Sequence, residues 1–341
     1  VIASSGDLIL KTLETLATTV IIACALASAC EKGVAQISPA VEDPLTRQTL
    51  SAAGGHVSVG PTTAGVNAGS ATKCASPSTQ FAEALIGTVT DEDGGRWSAP
   101  AATQLGDTGV DLFNDCTGKG VNADYASQLE TVVVNPDGVE VTAFVHADNY
   151  FELYVNGTFV CRDPIAFTPF NSTACRFKAT YPMTLALRAV DWEEHLGVGM
   201  EYARYNVGDG GVVASFSNGT LTDESWKAEA FYFAPLDSTA CLKFGPSGDR
   251  DSSACAIKPA CANSRNVSAC KAVHFSEPTD WATAGFNDTA WPSATVYTRK
   301  QFGPKAAYTE LEDKFGAAKF LWSRNIKTDN VVLLRKTVEA P

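Results

Sequence analysis

The residues of this chain that could do chemistry are clustered carboxylates, four histidines, six tryptophans and ten cysteines. Asp191, Glu193, Glu194, Glu201 and Asp209 form the densest acidic stretch. Two carboxyl groups flanking a sugar can hydrolyse a glycosidic bond, and several carboxylate oxygens together can hold Ca²⁺. Asp91-Glu92-Asp93-Gly94 is a second oxygen-rich loop. His146 and Asp148 fall on one face of an expected strand, either as an acid–base pair or as a strand end in solvent. Trp192, Trp226, Trp281, Trp291 and Trp322 offer ring faces that can stack on sugars or plug a core. Trp192, set among charges, is the one expected to face a ligand. The chain contains no Gly-x-Ser-x-Gly, no His-Glu-x-x-His, no phosphate loop and no dinucleotide fingerprint. No catalytic residue is therefore assigned, and the chain is not expected to be an enzyme.

Cys241, Cys255, Cys261 and Cys270 share a short segment rich in Asn, Ser, Gly and Pro, without CxxC pairs and with His274 as the closest histidine. That pattern reads as disulfides rather than zinc. The four are expected to pair among themselves, and Cys161 with Cys175. Sequons at Asn156, Asn171, Asn218, Asn266 and Asn287 fit N-glycosylation at surface turns of a secreted protein. Asn156, in a tight Asn-Gly turn, is the sequon whose exposure is least assured.

Asp and Glu total 38 against 26 Lys and Arg, a net charge of −12. Phosphate backbones and anionic membranes repel such a chain, so neither nucleic acid nor membrane is an expected partner. With 341 residues, 45% of them hydrophobic, the chain can bury a sizeable core.

Residues 1–33 form a distinct unit. Ser4 and Asp7 have capping-box spacing, Gly33 and Pro39 stop the helix, and Leu10, Leu13, Ala17, Val20 and Cys24 make an apolar seam. A signal peptide with cleavage at Ala27-Ser28-Ala29 would need a basic leading stretch, and a membrane anchor a longer apolar run. The preferred reading is a helix buried between copies of the chain. Residues 34–127 are rich in Ala, Gly, Ser and Thr and are expected to be an extended arm or linker. From 128 the pattern turns to strands: Asn135-Pro136-Asp137-Gly138, Asn156-Gly157 and Asn218-Gly219 mark turns between β-branched runs. Many short strands imply an antiparallel sandwich or barrel.

The segment Ala147-Asp148-Asn149-Tyr150-Phe151-Glu152-Leu153-Tyr154-Val155-Asn156-Gly157 resembles a hairpin of galactose-binding-like jelly rolls, accessory modules of secreted glycosidases and adhesins. Trp281 to Ala294, Phe320-Leu321-Trp322-Ser323 and Asn330 to Lys336 are similar to later strands of the same family. Asp191 to Gly197 and Asp223 to Ala228 look like stretches of secreted proteins carrying a YHYH domain, although no Tyr-His-Tyr-His run occurs here. The resemblance implies a jelly roll over 128–341 with a Cys-rich insertion at about 237–275, and places Trp291 and Trp322 in the core. It also makes a structural calcium ion an open alternative to having no cofactor.

The expectation is thus a mainly β, extracellular or cell-surface, disulfide-bonded glycoprotein: an antiparallel jelly-roll sandwich preceded by a long helix and an arm. Its first functional reading is a structural subunit that self-assembles into a filament or surface layer. The second is a carbohydrate-binding module, with Asp148, Asn149, Tyr150, Asp191, Trp192, Glu193 and Glu194 as candidate ligand residues.

Overall fold

Alternation along the strands decides what faces the interior. In Val139–Asp148 every second residue from Val141 to Ala147 is buried, as period-two geometry requires of a strand packed on one face. The turn before it depends on Gly138, where a Cβ would lie 2.2 Å from the Ala179 backbone. Asn156 and Gly157 take left-handed φ values of 52° and 84°, the two-residue turn that matches strand twist. It joins Tyr150–Val155 to Thr158–Arg162.

The computed structural model describes residues 44–62, 65–67, 85–103, 106, 109–114, 120–164, 171–201, 206–263 and 267–341. Among these, one seven-stranded sheet runs in the order His56–Val59, Lys271–His274, Lys227–Leu236, Asp329–Val338, Met183–Val190, Tyr150–Val155 and Thr158–Arg162. The other, eight-stranded, follows Thr295–Tyr297, Phe320–Trp322, Gly211–Phe216, Val139–Asp148, Asn171–Ala179, Val110–Asn114 and Gly120–Val121, with Thr131–Val133 parallel to Asn171–Ala179. The remaining pairings within both sheets are antiparallel. Val141, Val145 and Phe177 from one sheet share a core with Phe151, Leu187 and Val332 from the other. The architecture is β-sandwich-like, and the chain passes between sheets at Asp148–Tyr150.

Cys161 and Cys175 are bonded, with Cα atoms 6.3 Å apart, and tie an edge strand of one sheet to a central strand of the other. Cys241 pairs with Cys255 and Cys261 with Cys270, all within the Cys-rich segment. That insertion ends sooner than expected, because Lys271–His274 is a strand of the seven-stranded sheet.

The helix expected over residues 1–33, with its seam, lies outside the described residues. Within 34–127, several described parts join the two main sheets or their core, while Gly65–Asn67, Leu85–Thr90 and Arg96–Ala99 form a separate three-stranded sheet. Pro44–Ala52 is a helix that buries Leu50, His56–Val59 is an edge strand, and Val110–Asn114 buries Leu112 and Phe113. These residues carry enough apolar side chains to join the core, despite their small-residue surroundings. Among the described residues, no helix is long and apolar enough to cross a membrane.

Candidate ligand-binding cleft

Charged residues interrupt otherwise apolar strands of the seven-stranded sheet, and the register brings them together. Arg188 pairs with Glu152 across neighbouring strands. Both therefore project from the face opposite Phe151, Leu153 and Leu187, away from the core. Glu152 is buried and accepts from the hydroxyls of Tyr150 and Tyr154 at 3.1 and 2.9 Å. Arg188 donates Nε and Nη2 to the two oxygens of Glu277 at 2.8 and 2.7 Å, and Nη1 to the Ala102 carbonyl at 2.7 Å. Burial opposes the charge on Arg188, but Glu277 and Glu152 outweigh it and raise its pKa above the ordinary arginine range.

Beside this pair opens a cleft of about 190 Å³. Arg188, Tyr232, His274 and Val331 come from the sheet, Trp97 to Ala102 form one flank, and Phe275 to Glu277 another. Trp97 arrives on a separate small sheet, in the strand Arg96–Ala99. Its ring stacks on His274 at 5.3 Å, and Tyr232 stacks on the same imidazole at 4.9 Å. Ser58 Oγ holds His274 Nε2 at 2.8 Å, and burial pushes this histidine down to about 3, so it is neutral at physiological pH. Asp91 fixes the flank. Its carboxylate accepts from the Asp93 and Gly95 amides at 2.9 and 2.6 Å and from Trp97 Nε1 at 2.7 Å. Burial raises the Asp91 pKa, but these donors outweigh it and leave the carboxyl below its usual value. The Asp91 loop, expected as an oxygen-rich cation site, thus already uses its carboxylate to hold a turn and an indole.

The ligand residues expected from the sequence lie elsewhere. Asp148, Asn149, Tyr150, Asp191, Trp192 and Glu193 are buried, and only Glu194 is exposed. Trp192, expected to face a ligand, is instead in the core against Tyr150, with ring centroids 5.8 Å apart. Its backbone amide donates to Asn149 Oδ1 at 2.6 Å, and Asn149 Nδ2 donates to Glu201 at 3.0 Å. Glu193 accepts from the Gly197 and Val198 amides at 2.6 and 3.1 Å and from Asn330 at 3.2 Å. Asp148, Asp191, Glu201 and Asp209 gather at the sheet crossover. Among the described residues, no three His, Cys, Asp or Glu side chains are grouped so as to hold a metal ion.

His146 is not at a solvent-exposed strand end. It is buried between Phe302 and Tyr308, its Nδ1 is 3.0 Å from the Asn171 carbonyl oxygen, and burial pushes it down to about 4. Trp291 and Trp322 are buried.

The sequons divide. Asn287 is exposed and Asn156 and Asn218 are half-buried. Asn171, expected at the surface, is buried, with its amide nitrogen donating to Asp111 and Thr173 at 3.0 and 3.2 Å. Asn266 lies outside the described residues.

The cleft residues Trp97, Arg188, Tyr232, His274 and Glu277 were not singled out from the sequence. The signal that could have found them is a lone charge inside an apolar strand: Glu152 in Tyr150–Val155 and Arg188 in Met183–Val190. Compared with known protein families, curated proteins and solved structures, the chain has no match.

Proposed function

We propose that this chain is an extracellular carbohydrate-binding module of jelly-roll type, with the cleft beside Arg188 as its sugar site. The observation that carries the reading is the composition of that cleft. Rings of Trp97, Phe231, Tyr232 and Phe275 stand beside a bidentate Arg188–Glu277 pair. Apolar ring surface beside paired polar groups is what a pyranose, apolar on its faces and hydroxylated at its edge, requires. Arg188 and Glu277 offset each other's charge, which favours an uncharged sugar. The three disulfides among the described residues fit an oxidising compartment such as the cell exterior.

Glycan-array binding by the full chain tests this. Trp97→Ala should lower affinity for the preferred glycan about tenfold or more, as loss of an aromatic anchor does. A folded wild-type protein that binds no glycan at millimolar concentration would overturn it.

The self-assembly reading draws its support from the apolar seam of residues 1–33. Deleting them should leave a folded sandwich that no longer forms particles in electron micrographs. Unchanged particles would remove that reading.

A further inference from the structure

The buried carboxylates at the sheet crossover are not used by the cleft. Asp148 ends a strand of the eight-stranded sheet and Asp191 follows one of the seven-stranded sheet. Glu201 and Asp209 come from the segment between Asp191 and Gly211–Phe216. Gly208 lies flat against Glu201, where a Cβ would come within 1.6 Å of Oε2. Asn149 spans the group, accepting from the Trp192 amide and donating to Glu201. One oxygen of Asp148 and one of Asp191 are buried without a hydrogen-bond partner. The facing charges are few: Lys327, which contacts Asp209 at 3.2 Å, and the exposed Lys305. Glu193 and the Tyr232 hydroxyl face Asp191 from the cleft side. Two lysines, one of them in solvent, do not neutralise four crowded carboxylates, and unpaired buried charge is costly.

We infer that Asp148, Asp191, Glu201 and Asp209 form a proton-dependent clasp between the two sheets. With protons retained among them, the crossover and the loop carrying Glu201 pack together; when all four ionise, their repulsion loosens this end of the sandwich. The electrostatics agree. Burial, then the charges of Glu201 and Asp209, raise Asp148 and Asp191 well above the usual carboxyl range. Burial raises Glu201 to about 7 and also raises Asp209. Folded-state pKa values above the unfolded ones mean that the folded form holds more protons. The stability is therefore full below the unfolded carboxyl pKa and is lost as pH rises through about 7 and beyond.

Thermal melting of the full chain between about pH 6.5 and about pH 8.5 tests this; over that window unfolded-state protonation of His146 and His274 adds a small opposite trend and buried Glu229 a parallel one, both common to the wild type and the variants. The wild type should lose about 5 °C or more on going to the higher pH. Asp148→Asn and Glu201→Gln, which imitate the protonated groups, should each remove much of that loss while melting near the wild type at the lower pH. A wild-type melting temperature that does not change with pH, or variants that fall in parallel with it, would overturn the inference.

Discussion

Arg188 and Glu277, 89 residues apart in sequence, meet in two parallel hydrogen bonds of 2.8 and 2.7 Å. One sits mid-strand and the other follows the strand Lys271–His274. Their contact pins one flank of the cleft to the sheet beneath it. The guanidinium also reaches Ala102 and Glu152, so it holds three segments at once.

Breaking this pair leaves Arg188 buried with one carboxylate fewer. Glu277→Gln should destabilise the fold by about 2 kcal/mol, less than a fully buried pair because Glu277 retains some exposure. Arg188→Lys should cost a similar amount, since an ammonium cannot donate in the same fork. Urea unfolding of both variants measures this; stabilities equal to wild type would show that the pair contributes nothing.

Replacing Cys161 and Cys175 together by alanine reopens a link between the sheets. A loop of 14 residues predicts a loss of about 3 kcal/mol, mostly through the unfolded chain. Denaturant titration reads the loss, and non-reducing peptide mapping should recover this bridge with Cys241–Cys255 and Cys261–Cys270. A Cys161 thiol that alkylates in the native protein would contradict the pairing.

On the acid side the histidines take over. Burial lowers His146 to about 4 and His274 to about 3, so the unfolded chain binds protons first. Their contribution is present above the unfolded value of 6.5 and is lost as pH falls toward 3. His274→Phe, which keeps a ring between Trp97 and Tyr232, should shift the midpoint of acid unfolding to lower pH. Circular dichroism against pH follows it, and an unchanged midpoint would count against a neutral buried His274.

Glycans should distinguish the sequons. Expressed through a eukaryotic secretory route, Asn287 should carry sugar and Asn171 none, because the Asn171 amide is buried and already donates to Asp111 and Thr173. Glycopeptide mass spectrometry decides; a sugar on Asn171 would require this strand to open.

Much of the architecture could be read from local pattern. The turns expected at Asn135-Pro136-Asp137-Gly138 and Asn156-Gly157 are found next to strands, since turn residues and β-branched runs act over a few positions. The bonds Cys161–Cys175, Cys241–Cys255 and Cys261–Cys270 follow the grouping of the cysteines, because short separations leave few ways to pair. Polarity was a poorer guide to exposure. Trp192 is flanked by acidic residues yet lies inside, as do the polar Glu193 and His146, since burial is set by what packs above a strand and that comes from distant chain.

The sequence by itself determined a mainly β, disulfide-bonded chain with turns at Gly138 and Gly157, because backbone sterics and side-chain alternation are local. Only the tertiary structure decided that His56–Val59 belongs to the main sheet, that Trp97 stands over His274, and that Arg188 meets Glu277. It also decided that carboxylates from four separate positions crowd one crossover. Each of these depends on register and sheet order across tens of residues, where the favourable contact is non-local and a one-residue slip would turn every side chain to the opposite face.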